Sequence, residues 1–390
     1  MKIVYKFYLI ALVVFSSFNV EAGLAISPQQ EELYVSKDFT KPGLFTSGIE
    51  GPAVDSKGNL YAVNFEKSGT IGIVDSLGNA LLFTTLPNGS TGNGIRFDQL
   101  GNMYIADYTA HNILTIPPGK TEAEVYAHSS DFNQPNDLAI MSNGILFASD
   151  PSWANNNGKL WRIGTDKIPV LIDANMGTTN GIEVSPDDKH LYVNETNQLK
   201  IWKFDLNEKG EISNKILFIS FNDYSLDGMR CDIDGNLYVT RYGKGVVAIL
   251  SPAGTLLREV PTTGKNISNI AFGGIDGRTC FVTMVDRQMI EMFRTETPGR
   301  EWKLTAVDGI SNINLKIQLV YPNPSSSILN VSNVIVNSII SVISLDGRIV
   351  ATVLAKSDIV SLEVSGWKKG LYFISINSGN TISQKKIVII

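Results

Sequence analysis

LDGMRCDIDGNLYVT, from Leu226 to Thr240, returns in variant form along most of the chain. Its counterparts are EGPAVDSKGNLYAVN from Glu50, GNGIRFDQLGNMYIA from Gly92, PNDLAIMSNGILFAS from Pro135, NGIEVSPDDKHLYVN from Asn180 and, more loosely, ISNIAFGGIDGRTCFVT from Ile267. Each reads as a hairpin: a short apolar strand, a turn of Asp, Gly, Asn or Ser, and a second strand rich in Tyr, Val, Ile and Phe. Aligned on the aromatic after the turn, Tyr61, Tyr104, Phe147, Tyr192, Tyr238 and Phe281 are separated by 43, 43, 45, 46 and 43 residues. That period holds four short strands with their turns, the spacing of propeller blades. The expected fold is therefore all-β: a six-bladed β-propeller, with no long helical pattern between Gly48 and Leu304.

A short carboxylate or amide stands eleven or twelve residues before each aromatic: Glu50, Asn93, Asn136, Asn180, Asp227 and Asn269. The first strand of a propeller blade lines the central channel, so equivalent positions converge on one ring at one mouth. Four of the six precede a glycine (Gly51, Gly94, Gly181, Gly228), which leaves room for close backbone approach. None of the six is basic, and a ring of oxygen donors suits a hard cation such as calcium. The competing reading is that Asn and Asp cap turns, as in any β protein.

The whole chain has 390 residues, 43% hydrophobic, with a net charge of -5 and a pI near 5.4. It can bury a large core and a second, smaller one. The acidic balance and the lack of a Lys/Arg cluster argue against nucleic acid as partner. Met1 to Ala22 pairs Lys2 and Lys6 with the apolar run Phe7 to Phe18 and a small-residue exit, the pattern of a secretory signal peptide; the run is too short to span a membrane. The mature protein is expected to be exported and to carry no transmembrane segment. Cys231 and Cys280 occupy unlike places in neighbouring hairpins and are expected as buried free thiols. His111, His128 and His190 have no ligand-type spacing. Residues Glu32 to Val35 could complete an outer strand of the last blade. Trp161 and Trp202 read as packing between blades, whereas Trp153, in the polar loop DPSWANNNG, could face a bound substrate.

The EGP, PND, TNGIEVSPDDKHLYV and DGMRCDIDGNLYV segments together resemble the family of senescence marker protein, gluconolactonase and regucalcin, with diisopropylfluorophosphatase a more distant relative. The resemblance covers roughly residues 48 to 300. It implies a divalent metal, calcium or in its place zinc, magnesium or manganese, held by Glu50, Asn180 and Asp227, with Asn136 on metal or substrate. It further implies a sugar-lactone or related ester hydrolase in which the cation polarises the carbonyl and Asp227 activates water, while Asn93 and Asn269 line the mouth. Regucalcin-like members carry Arg two residues before the PND asparagine where this chain has Gln134, and their second substrate-binding carboxylate has no match, so the substrate is left open. A propeller of the NHL type, binding partners around a structural metal, fits the same repeats. Phosphotriester hydrolysis is a third option for such a site.

Residues 317–390 read separately, after a propeller body at 23–310. Alternating strands at Ser327 to Val331, Ile339 to Ser344, Ile349 to Val353, Ser361 to Val364, Gly370 to Ile376 and Lys385 to Ile390 predict a small Ig-like β-sandwich. The opening Tyr321-Pro322-Asn323-Pro324, the turn Asp346-Gly347-Arg348, the GLYFISI strand and the terminal Lys-Lys strand resemble the C-terminal sorting domain of type IX secretion in Bacteroidetes. That likeness implies a secretion machinery as partner and a secreted or cell-surface destination. An accessory binding sandwich is the plainer reading.

Overall fold

The computed structural model describes residues 32–87, 89–305, 319–334, 336, 338–377 and 382–390; residues 1–22, expected from sequence to be a signal peptide, and the stretch joining the two units lie outside them. The chain divides into a unit ending at Thr305 and a second ending at Ile390.

The first unit is built from six four-stranded antiparallel sheets. Their first strands are Phe45–Val54, Gly92–Phe97, Leu138–Ile140, Thr179–Val184, Ser225–Cys231 and Ile267–Gly273. These touch in cyclic order, the last against the first, so the sheets are the blades of a closed six-bladed propeller around a central channel. The repeat read from sequence is one blade. The seam is in blade 6, where Lys37–Asp38 supplies the outer strand against Met289–Arg294, with a further bridge from Leu33 to Arg294. The closing segment thus runs a few residues beyond the expected Glu32 to Val35.

The turn chemistry explains why the motif recurs. Asp55 Oδ1 accepts the backbone N–H of Lys57 and of Asn59, each at 2.9 Å, and its Oδ2 accepts the Asn59 amide at 2.9 Å and the Tyr61 hydroxyl at 3.1 Å. Asp98 repeats all four contacts, and Asp232 repeats the three to Asp234 and Asn236. Gly58, Gly101 and Gly235 take the left-handed turn position at φ of 83° to 84°. The aromatic then packs edge-on or tilted against a second ring: Tyr61 edge-on to Phe83 and tilted on Phe97 of the next blade, Tyr104 edge-on to Tyr126, Tyr192 tilted on Phe218, Tyr238 edge-on to Phe272. Such pairs contribute about 1 kcal/mol each beyond the area they bury. Trp161 belongs to this packing, set against Phe132 with its N–H on Asp150 at 2.8 Å, and Trp202 lies partly buried against the core between blades 3 and 4. Cys231 and Cys280 are both free and buried.

One short helix, Arg300–Thr305, follows blade 6. Six residues are too few for a periodicity signal, which is why the sequence did not disclose it. Among the described residues no helix is long and apolar enough to cross a membrane.

The second unit pairs a three-stranded sheet (Leu319–Tyr321, Ile328–Ser332, Ile359–Glu363) with a four-stranded one (Ile349–Leu354, Ile339–Ser344, Gly370–Asn377, Ile382–Ile389). Leu329, Val331, Ile340, Val342, Leu362, Ile374 and Ile387 from the two sheets form one core. It is a β-sandwich of the expected size.

Candidate functional site

In five blades the ladder between first and second strands slips register at the motif residue: between Glu50 and Ala53, Gly92 and Ile95, Thr179 and Ile182, Leu226 and Met229, and Ile267 and Ile270. An irregularity of this kind re-aims a side chain. In blade 3 the first strand is cut to three residues, and Asn136 lies just before it with its N–H on Ser149 O at 2.8 Å. The glycines do what their position implies. A Cβ at Gly51 would overlap the Asn93 carbonyl, at Gly94 the Asp137 carboxylate, at Gly181 the Asp227 carbonyl and at Gly228 the Asn269 amide. Each glycine is the socket for the motif residue, or its neighbour, of the next blade.

The six motif residues therefore meet at one mouth of the channel. Asn269 Nδ2 donates to Glu50 Oε2 at 3.0 Å across the seam, and Asn93 Nδ2 donates to Asn136 O at 3.0 Å. Asn180 Nδ2 reaches Thr196 Oγ1 at 3.0 Å, and the Thr196 hydroxyl in turn binds Leu226 O at 2.9 Å. Asn194 binds the Asp227 carbonyl through its amide nitrogen. Asn136, Asn180 and Asn269 are buried, whereas Glu50, Asp227 and Asn93 open partly to solvent. Asn269, expected as an outer contact of the mouth, lies deeper than that: its amide is engaged by Glu50 on one side and by Arg230 and the Ile270 N–H on the other.

The electrostatics of the pair Glu50 and Asp227 are unfavourable as they stand. Desolvation in the walled mouth is the largest influence on both. It lifts Glu50 to about 7 against the hydrogen bonds from Gly51 and Asn269, and lifts Asp227 well above the carboxylate range, helped by the Glu50 charge. Beside them, the buried Oδ1 atoms of Asn136 and Asn194 have no hydrogen-bond donor. Buried acceptors are seldom left so. Two carboxylates that resist shared ionisation, next to unpaired amide oxygens, fit a hard divalent cation. Among the described residues no group of three or more His, Cys, Asp or Glu side chains is placed to hold a metal; the ring brings together two carboxylates, with amide oxygens completing its oxygen set.

Sequence reasoning missed the layer below. Although no ring residue is basic, two arginines stand directly beneath: Arg96 NH1 lies 3.1 Å from Asp137 Oδ1, and Arg230 NH1 lies 3.5 Å from Asp137 Oδ2. Asp137 occupies the place held by glycine in four other repeats, and that break in pattern was the available signal. Glu183 joins through Arg96 at 3.8 Å and Arg300 at 3.6 Å. At the rim, Trp153 lies in a single 3₁₀ turn, Trp153–Asn155, half-buried, and its side chain and that of Gln134 hydrogen-bond the Tyr108 hydroxyl.

A family model described as the SMP-30/Gluconolactonase/LRE-like region matches residues 50–286. The chain belongs to this SMP-30/gluconolactonase/LRE-like family. A second model, the secretion system C-terminal sorting domain, matches residues 319–390. Among relatives of the family, the gluconolactonase of Zymomonas mobilis subsp. mobilis is 28% identical over 233 residues, 53% of this chain and 64% of that protein, so the chain spans just under two thirds of that relative's length. The diisopropyl-fluorophosphatase of Loligo vulgaris is 25% identical over 296 residues, 67% of this chain and 94% of that protein. Of solved structures, the calcium-binding protein regucalcin from Agrobacterium tumefaciens matches with a TM-score of 0.58 at 19% identity, over 66% of this chain and 92% of that one. A gluconolactonase from Xanthomonas campestris matches at 0.57 with 21% identity, over 67% and 89%. Those two likenesses speak for the propeller fold.

Proposed function

We propose that this member of the SMP-30/gluconolactonase/LRE-like family is an exported, divalent-cation-dependent hydrolase of sugar lactones, calcium being the ion its all-oxygen donor set suits best. The observation that carries the reading is the pairing of Glu50 and Asp227, each held from easy ionisation, beside the donorless Asn136 Oδ1. When bound, the cation supplies Lewis acidity toward the lactone carbonyl.

The chain's own residues do the rest. Glu50, Asn180, Asp227 and Asn136 hold oxygen donors toward the cation. Asp227, whose carboxylate is made more basic by desolvation, takes a proton from the water that attacks the carbonyl carbon. It returns that proton to the ring oxygen as the ring C–O bond breaks, leaving the open-chain hydroxy acid. Asn93 and Trp153, both partly open at the mouth, contact the sugar, with Asn136 orienting it. Asn269 acts through Glu50, its hydrogen-bond partner. The leader at 1–22, the propeller body at 23–310 and the sorting unit at 317–390 together support passage to the cell surface or beyond, with the secretion machinery as partner of the last. The Zymomonas gluconolactonase supports the substrate class.

The test is a panel of aldonolactones, simple esters and one phosphotriester, the last prompted by the squid relative. It is assayed on metal-stripped protein with calcium, zinc, magnesium or manganese restored. Lactone turnover that returns with a cation and disappears in Asp227→Asn is expected. Full turnover in that variant excludes Asp227 as the base, and turnover unaffected by stripping excludes the cation.

A further inference from the structure

The chain does not leave the propeller freely after blade 6. Ile233 N–H bonds Pro298 O at 2.9 Å and Gly299 N–H bonds Gly277 O at 2.9 Å, carrying the segment across the face opposite the candidate site. Two glycines make the crossing fit: a Cβ at Gly299 would overlap the Phe272 side chain, and one at Gly277 would meet Trp302. The helix Arg300–Thr305 then sends two charges into the channel. Arg300 binds Ile140 O at 2.9 Å, Ser185 O at 3.1 Å and Asp188 at 2.6 Å. Glu301 Oε1 lies 2.7 Å from Arg230 Nε.

Arg230, fully enclosed, continues upward. Its NH1 reaches Met229 O at 2.7 Å, Asn269 Oδ1 at 3.4 Å and Asp137 at 3.5 Å, and its NH2 reaches Pro52 O at 3.3 Å, two residues after Glu50. Asn269 closes the chain of contacts on Glu50 at 3.0 Å. An unbroken line of charged and amide groups thus runs the length of the channel, from the helix that follows the last blade to a carboxylate of the candidate site. A guanidinium this enclosed needs its carboxylate partners to keep one orientation.

We propose that Glu301 is a positioning residue of the site: it fixes Arg230, which fixes Asn269 and, through it, the Glu50 carboxylate. The helix after blade 6 therefore belongs to the working propeller, and removal of the C-terminal unit leaves a competent site only when the cut falls beyond Glu301. This rests on the cation site proposed above only for its consequence on binding; the positioning itself is independent of the ion.

The experiment uses the full chain with Glu301→Ala and Glu301→Gln, the latter keeping an acceptor oxygen for Arg230. Hydrogen exchange is followed by mass spectrometry on metal-stripped protein, and calcium affinity is measured by calorimetry. Glu301→Ala is expected to raise exchange at least fivefold in peptides spanning Ile49 to Ala53 and Ser268 to Ala271, with the outer strands unchanged, and to weaken calcium binding tenfold or more. Glu301→Gln is expected to recover most of both. Exchange in those two peptides that stays at the wild-type level in Glu301→Ala overturns the proposal, whatever the calorimetry gives. Should Glu301→Ala fail to fold, wild-type exchange and affinity in Arg230→Lys overturn it equally. A wild-type chain that binds no divalent cation while the exchange change appears refutes the cation reading and leaves the positioning standing.

Discussion

Stripping the cation should make the propeller's stability fall as pH rises, with Glu50 and Asp227 both contributing; the Glu50 share can be sized. Its carboxyl titrates at about 7 in the folded chain against an ordinary 4.5. An acid whose folded pKa is raised favours the folded state most at low pH, and that contribution is lost as pH climbs through the folded value. At 1.36 kcal/mol per pKa unit the full span is about 3 kcal/mol, and solvent at the mouth screens this to about 2 kcal/mol between pH 5 and pH 8.5. For a unit of this size that is roughly 3 to 4 °C in Tm. On the proposed reading, added calcium would keep both carboxylates ionised and ligated, so the decline should vanish or reverse, since a ligand bound only to the folded state adds stability by mass action. Thermal melts at the two pH values, with and without chelator, read this directly, and Glu50→Gln should make the chelated curve shallower, Asp227 keeping its own share. A chelated protein as stable at pH 8.5 as at pH 5, or a chelator that moves Tm at neither pH, would sink the reasoning.

Gly228→Ala should cost about 3 kcal/mol, because its Cβ would overlap the Asn269 amide in a packed interface; a chemical denaturation midpoint within error of wild type would contradict the socket described for that glycine. Asn136→Ala should change the stripped protein's stability by less than about 1 kcal/mol, since the amide oxygen it removes has no donor, yet weaken calcium binding at least tenfold by calorimetry. Arg287→Ala severs the contacts to Asp38 at 2.6 Å and Glu291 at 2.7 Å that pin the closing strand. It should lower Tm and expose the segment before Phe45 to limited proteolysis, whereas wild-type resistance would assign closure to the backbone pairs alone.

The fold was legible because its unit is short and repeated. The Asp55, Asp98 and Asp232 turns write the same hydrogen-bond set three times, and the following aromatics mark the blade spacing. The ring was legible for the same reason, since a position held in six copies stands out where a single Asn would not. What escaped notice breaks the repeat. Asp137 replaces a glycine once, Arg96 and Arg230 sit on strands whose apolar pattern masks them, and Glu301 comes from a helix too brief to carry a period. Their partners are 41 to 93 residues apart in sequence, a separation that no local pattern records. For Asn269 the spacing gives its place in the repeat but not what its amide meets, which is Glu50 on one side and Arg230 with the Ile270 N–H on the other.

The seam has a consequence for the order of assembly. Glu50 and Asn269, 219 residues apart, are joined at 3.0 Å across the boundary between first and last blades. During synthesis the first of them emerges long before the second, so the Glu50 carboxylate lacks the amide that orients it until blade 6 docks and the two-residue strand Lys37–Asp38 zips onto it. On the proposed cation reading, a partly made or circularly opened chain would hold its ion weakly, and occupancy of the mouth would serve as a built-in report that the circle has shut.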